Sequence, residues 1–235
     1  MFQKNSNVTI KITLHVISMN KEWAELNKTL QSQLKKENTF IDGVKTVLLL
    51  RQKLFDGLCS FKTELTREQF NCAPYLSAEG YHSKTIAYSI WHIFRIEDIV
   101  AHALIDHSKQ ILMTDNYIER INTPIITTGN ELVGKQIIKF SEALNIDELY
   151  QYITAVMNST NKIISNLSFA DLKRKISNDD KQHLQQLNVV STDAKAYWLI
   201  DYWCGKDFRG LIQMPLTRHW IMHIEASLRI RNRIK

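Results

Sequence analysis

Apolar residues recur along this chain at helical spacing, in blocks separated by polar breaks. From Asn20 to about Lys36, Trp23, Leu26, Leu30 and Leu34 share one stripe of an amphipathic helix. Asn38-Thr-Phe40 makes a break, and a second helix is expected over roughly 41–60, with Val44, Val47, Leu48, Leu54 and Leu58. Residues 61–84 read as a loop in which Thr66 and Gln69 have the spacing of a capping box. Ser83 or Thr85 then opens a strongly apolar helix that runs to about Ile105. Ile86, Ile90, Ile93, Val100 and Leu104 lie on one stripe of it, and His92, Ile96, Ile99 and Ala103 on the next. Two adjoining apolar stripes predict a central helix, buried around much of its circumference.

Beyond it, residues 114–144 hold the loop Asn122 to Asn130 and a short helical piece. Asn145 and Asp147 suit the cap of a long helix over about 147–167. Residues 168–214 read as short helices, including an aromatic patch from Tyr197 to Trp203. Pro215 suits the first turn of a final helix, about 215–232. The expected fold is all-α, most simply a four-helix bundle with an extra N-terminal helix and short helical insertions, forming one domain over 19–235. Residues 1–18 stand apart. Val8, Ile10, Ile12, Leu14 and Val16 alternate with the period of a strand, which finds no partner in a helical protein. They read as an arm, either loosely docked or upstream of the natural start, because Met19 begins a better helical pattern.

Seven glycines and three prolines in 235 residues agree with long helices rather than many strands. Three widely spaced cysteines, Cys59, Cys72 and Cys204, form no CxxC pair and fit a reducing cytoplasm. No apolar run approaches the ~20 residues that span a bilayer. The net charge of +6 is dispersed, and its densest run is the tail from Arg229 to Lys235. That tail reads first as a solvated helix end. It also defines an alternative: a non-catalytic helical module whose basic last helix engages nucleic acid or another acidic partner.

Candidate chemistry centres on histidines. His219 and His223 have i, i+4 spacing, which stacks both imidazoles on one face, a turn apart. Leu216, Trp220, Ser227 and Ile230 lie near that face, so the rings point inward. His92 sits on an apolar stripe of the central helix. A buried neutral imidazole needs a hydrogen-bond partner or a metal. An HxxxH match alone is weak evidence, and a lone histidine on an apolar face is more often a satisfied core residue. Together, the two segments offer three ligands and an open position. Such a metal lowers the pKa of a bound water toward about 7 and deprotonates a coordinated thiol. Glu97 falls on the stripe of Ile93 and Val100. It is a candidate catalytic base or histidine-orienting acceptor, against the plainer reading of an ion pair with Arg95 or Arg218. Asp98 and His102, on an outer stripe with Trp91, read as structural. No GxSxG elbow, P-loop or GxGxxG is present.

Thr85-Ile-Ala-Tyr-Ser-Ile-Trp-His-Ile-Phe-Arg-Ile-Glu-Asp98 resembles the second-helix motif of the DinB/YfiT-like metalloenzymes. Met214-Pro-Leu-Thr-Arg-His-Trp-Ile-Met-His-Ile-Glu-Ala226 resembles their last-helix motif. Thr128-Gly-Asn130 and Ile200-Asp-Tyr-Trp203 are similar to intermediate blocks of one bacterial branch. The resemblance runs from about Met19 to the C-terminus. It implies a four-helix bundle that binds zinc or nickel through His92, His219 and His223. It further implies a metal-dependent transferase using a low-molecular-weight thiol, or a hydrolase, acting on a small molecule. It is compatible with a homodimer, through the N-terminal helix or the Tyr197–Trp203 patch.

Overall fold

The structure is a computed structural model and describes residues 19–235; the arm read over 1–18 lies outside the described residues. The fold is all-helical, and no strand occurs among the described residues. Helix α1 covers 19–33 and α2 covers Phe40–Glu64. Trp23 and Leu30 of α1, and Leu34 just after it, are buried. They press on α2 so closely that a Cβ added at Gly43 would stand 2.9 Å from Leu34, and one at Gly57 3.7 Å from Trp23. The apolar stripe of α1 is therefore spent inside the chain. Of the two surfaces expected to serve self-association, the face carrying Tyr197 and Trp198 is the one left exposed.

A short α3, Arg67–Phe70, follows, with the expected capping box between Thr66 and Gln69. Helix α4, Ile86–Asp98, starts at Thr85, whose hydroxyl accepts the Tyr88 amide. It continues as a π-helix over Ile99–Ile105. All of α4 is buried, including Ser89, Arg95, Glu97 and Asp98. This burial exceeds the two stripes read from the sequence, because other elements cover the polar positions as well. Each fully buried Ile or Phe here stabilises the fold by about 1.5–3 kcal/mol, and each buried polar group must find a partner inside the protein.

The chain then forms α5 (Tyr117–Ile121), α6 (Lys135–Ala143) and α7 (Ile146–Asn166). Asn145 caps α7 as expected, accepting the amides of Asp147 and Glu148. The short helices expected over 168–214 are α8 (Asn178–Gln186), α9 (Ala194–Cys204) and α10 (Phe208–Gln213). A π-helical stretch, Met214–Arg218, joins α10 to α11, His219–Ile234. Pro215 therefore does not open the last helix. It sits in a wide turn between two helical pieces, where its missing N–H suits a change of hydrogen-bond register. Helix α4 packs against α7 and α11, and α2 packs against the same two. No described helix is long and apolar enough to cross a membrane.

Candidate metal centre

His92, His219 and His223 converge. One nitrogen from each lies within 4.8 Å of the others. The ring centres of His92 are 5.0 Å from His219 and 4.7 Å from His223, and the HxxxH pair itself stands at 4.6 Å. All three rings are buried. Burial holds His92 neutral by pushing its pKa down to about 4. It also drives His219 and His223 well below the ordinary histidine value, and the neighbouring imidazoles add to the effect. All three are thus unprotonated at pH 7, the form that coordinates a metal.

A ladder of hydrogen bonds sets the orientation of His92. Tyr88, His92 and Arg95 occupy successive turns on one face of α4. The Tyr88 hydroxyl donates to the Gly129 carbonyl at 3.0 Å, and Arg95 Nε to the Ile126 carbonyl at 2.7 Å. Between them, His92 Nδ1 meets the Thr128 carbonyl at 2.7 Å. A carbonyl only accepts, so Nδ1 carries the proton and Nε2 keeps its lone pair for a ligand. This is the arrangement that a carbonyl behind the ring imposes on metal-bound histidines. Tyr88 also stacks on His92 at 5.4 Å. The loop must pass close to permit this. Gly129 has φ +78°, and a Cβ there would stand 3.1 Å from Tyr88.

His219 and His223 differ from His92. Their Nδ1 atoms are buried without any hydrogen-bond partner. Such an orphan costs about 1–3 kcal/mol. Three neutral imidazoles, two with unpartnered nitrogens, are a donor set that fits a divalent cation. A cavity of about 220 Å³ opens on them, walled by Asn130, Trp198, Tyr202, Met214 and neighbouring apolar side chains.

Glu97 is not part of this centre. Arg51 engages both its carboxylate oxygens at 2.7 Å, and neither side chain is exposed. Glu97 is thus ion-paired, the plainer of the two readings, and its partner is Arg51 rather than Arg95 or Arg218. Arg51 also donates to the Leu216 carbonyl at 2.8 Å and to Asn161 at 2.8 Å, and lies 4.7 Å over the Trp220 ring. The pair so ties α2, α4 and α7 to the π-turn that leads into His219. The sequence reading missed Arg51, although it shares the buried stripe of Val47, Leu54 and Leu58. A cation on an apolar stripe was the available signal. The loop carbonyls at Ile126, Thr128 and Gly129 carry none, since backbone acceptors leave no trace in residue type.

Asp98 and His102 are structural, as expected, but they are buried rather than outer. Three of the four cations in the basic tail meet a partner within the chain. Arg231 and Lys235 both bridge to Glu64, at 3.2 and 2.7 Å, and Arg229 meets His82 at 2.7 Å. Neither a scan of protein-family models nor a search of curated proteins returned a match to this chain.

Proposed function

We propose that this chain is a metal-dependent enzyme of the DinB/YfiT-like kind, built as a four-helix bundle of α2, α4, α7 and α11. One divalent cation, zinc or nickel, is held by His92, His219 and His223. The reading rests on one observation above all: three buried, neutral histidines from two helices converge beside a cavity. The mutual packing of α2, α4, α7 and α11 and the two helix motifs that resemble that family support it further.

When bound, such a cation supplies Lewis acidity, which makes a coordinated water or thiol far more acidic. The protein's own residues do the rest. Thr128 holds the His92 ring in the ligating tautomer through its carbonyl. Arg51 and Glu97 fix the start of α11 through Leu216. Tyr81 packs edge-on against His223 at 4.7 Å and joins the apolar wall in restricting water. Asn130 lines the cavity, and its buried amide Oδ1 has no partner within the protein. Hydrolysis and thiol transfer to a small molecule are the reaction classes that this set of residues serves.

Reconstitution with zinc or nickel followed by elemental analysis tests the reading. Wild-type protein should retain one ion per chain, and the His219→Ala/His223→Ala variant none. Wild type without stoichiometric metal would overturn it.

A further inference from the structure

We propose that the cavity beside the three histidines takes an uncharged small molecule with an apolar or aryl body and a single metal-binding head group. A charged, peptide-like thiol such as glutathione is then a poor ligand for it. The inference rests on the metal-centre reading and narrows its substrate class.

The walls of the cavity carry the argument. Apart from the histidines, they come chiefly from one face of α9, with Trp198, Leu199, Tyr202 and Trp203, and from Met214 and Pro215 of the π-turn. Among the described residues, no Asp, Glu, Lys or Arg lines the cavity. The polar groups on offer are neutral: the Asn130 amide and the hydroxyls of Tyr81 and Tyr202. The nearby cations Lys84, Lys206 and Arg218 flank the cavity without lining it. Lys206 sits 4.1 Å from the centre of the Tyr202 ring, and Lys84 5.2 Å from that of Tyr88. A ligand entering this space loses the hydration of whatever it brings. An apolar body gains from that transfer, at about 25 cal/mol per Å² buried. A carboxylate or ammonium loses several kcal/mol unless a counter-charge meets it, and the walls hold none. The one place for a negative charge is the metal itself, so one head group of that kind is accommodated and further charges are not.

Trp198 is the residue that reports on this. It is half-exposed at the edge of the cavity, packs edge-on against Tyr202 at 5.6 Å, and donates its indole N–H to the Lys195 carbonyl. A side chain this exposed can be replaced without opening the core.

The test uses the full chain loaded with cobalt(II), whose visible bands report occupancy of the three-histidine site. Three thiols share one head group: phenylmethanethiol, 2-mercaptoethanol and reduced glutathione. Thiolate-to-cobalt absorption gives the affinity of each. Phenylmethanethiol should bind at least about tenfold more tightly than glutathione, from its buried ring. Trp198→Ala should weaken phenylmethanethiol about fivefold and leave 2-mercaptoethanol within about twofold. Trp198→Arg, which adds a counter-charge at the edge, should shift the preference toward glutathione. Glutathione binding as tightly as phenylmethanethiol overturns the inference, as does a preference indifferent to both Trp198 variants. In either case the cobalt bands persist and the metal centre stands. Absence of the cobalt bands from wild type instead refutes the metal centre, and the inference with it.

Discussion

His92 and His102 lie along one continuous buried helical run, and they are held in opposite ways. His102 has both ring nitrogens partnered. Nδ1 stands 2.9 Å from the Asp98 carboxylate, and Nε2 2.8 Å from the Ser159 hydroxyl. Asp98 is itself saturated by Arg95, the Tyr152 hydroxyl and the amides of Ile111 and Leu112. Around His92, by contrast, one nitrogen is tied to a loop carbonyl, and the two facing histidines line a cavity and keep buried Nδ1 atoms without a partner. Both regions bury polar groups at similar depth. One spends them on its neighbours and so fixes where the loop after Ile105 returns. The other leaves them unspent, at a cost in stability, which is the expected mark of a site kept for a ligand.

The contrast predicts a double dissociation. Asp98→Ala should have the largest effect on folding, because it strands Arg95, His102 and Tyr152 in the interior. Loss of one partner of a buried ion pair costs about 3–5 kcal/mol. Urea unfolding should show that loss, while the folded fraction still takes up metal. His223→Gln should do the reverse. Metal-free, it should unfold within about 1 kcal/mol of wild type, since the imidazole it removes has an unpaired nitrogen. Metal at 100 times its Kd should then stabilise wild type by about 2.7 kcal/mol and the variant not at all. A large loss in metal-free His223→Gln would break the comparison, by showing that the histidine pair is structural.

Gly129→Ala probes the join between loop and helix. The left-handed backbone there costs a non-glycine residue about 1–2 kcal/mol. The added Cβ also pushes on Tyr88, and the adjacent Thr128 carbonyl moves away from His92. Displacing such a histidine-orienting acceptor lowers metal affinity by about 10–100-fold. Calorimetric titration with zinc checks it. Unchanged affinity would show that the carbonyl does not orient the ligand.

How much of this was legible beforehand follows the physics of each feature. The helix periods of α2, α4 and α7 were readable because burial acts on residue type at fixed spacing. The caps at Thr66, Thr85 and Asn145 were readable because a side-chain acceptor at a helix start is a local matter. The convergence of His92 with His219 and His223 was anticipated from interior placement and the paired motifs. The partner of Glu97 was not. It depends on the register between α2 and α4, and nothing local to Glu97 encodes where Arg51 arrives. The π-helical stretches were equally hidden: one extends α4 and the other joins α10 to α11, and both are set by packing rather than by composition.

The smallest expected effect is also the one that separates the two histidines by sign. Burial alone would lower the pKa of His102, but the hydrogen bond and charge of Asp98 outweigh it and raise the value above 6.5. A histidine whose folded pKa is raised binds its proton more tightly in the native state. Its contribution to stability is therefore complete below the unfolded value of 6.5 and fades as pH rises through the folded one. The stability difference between wild type and His102→Asn, measured by urea unfolding from pH 5.5 to 9, should be level at the acid end and shrink toward the alkaline end. An imidazole NMR titration of the same protein should place the midpoint above 6.5. A difference that grows with pH would mean His102 is neutral like His92, and the two regions would then differ in their partners alone and not in charge.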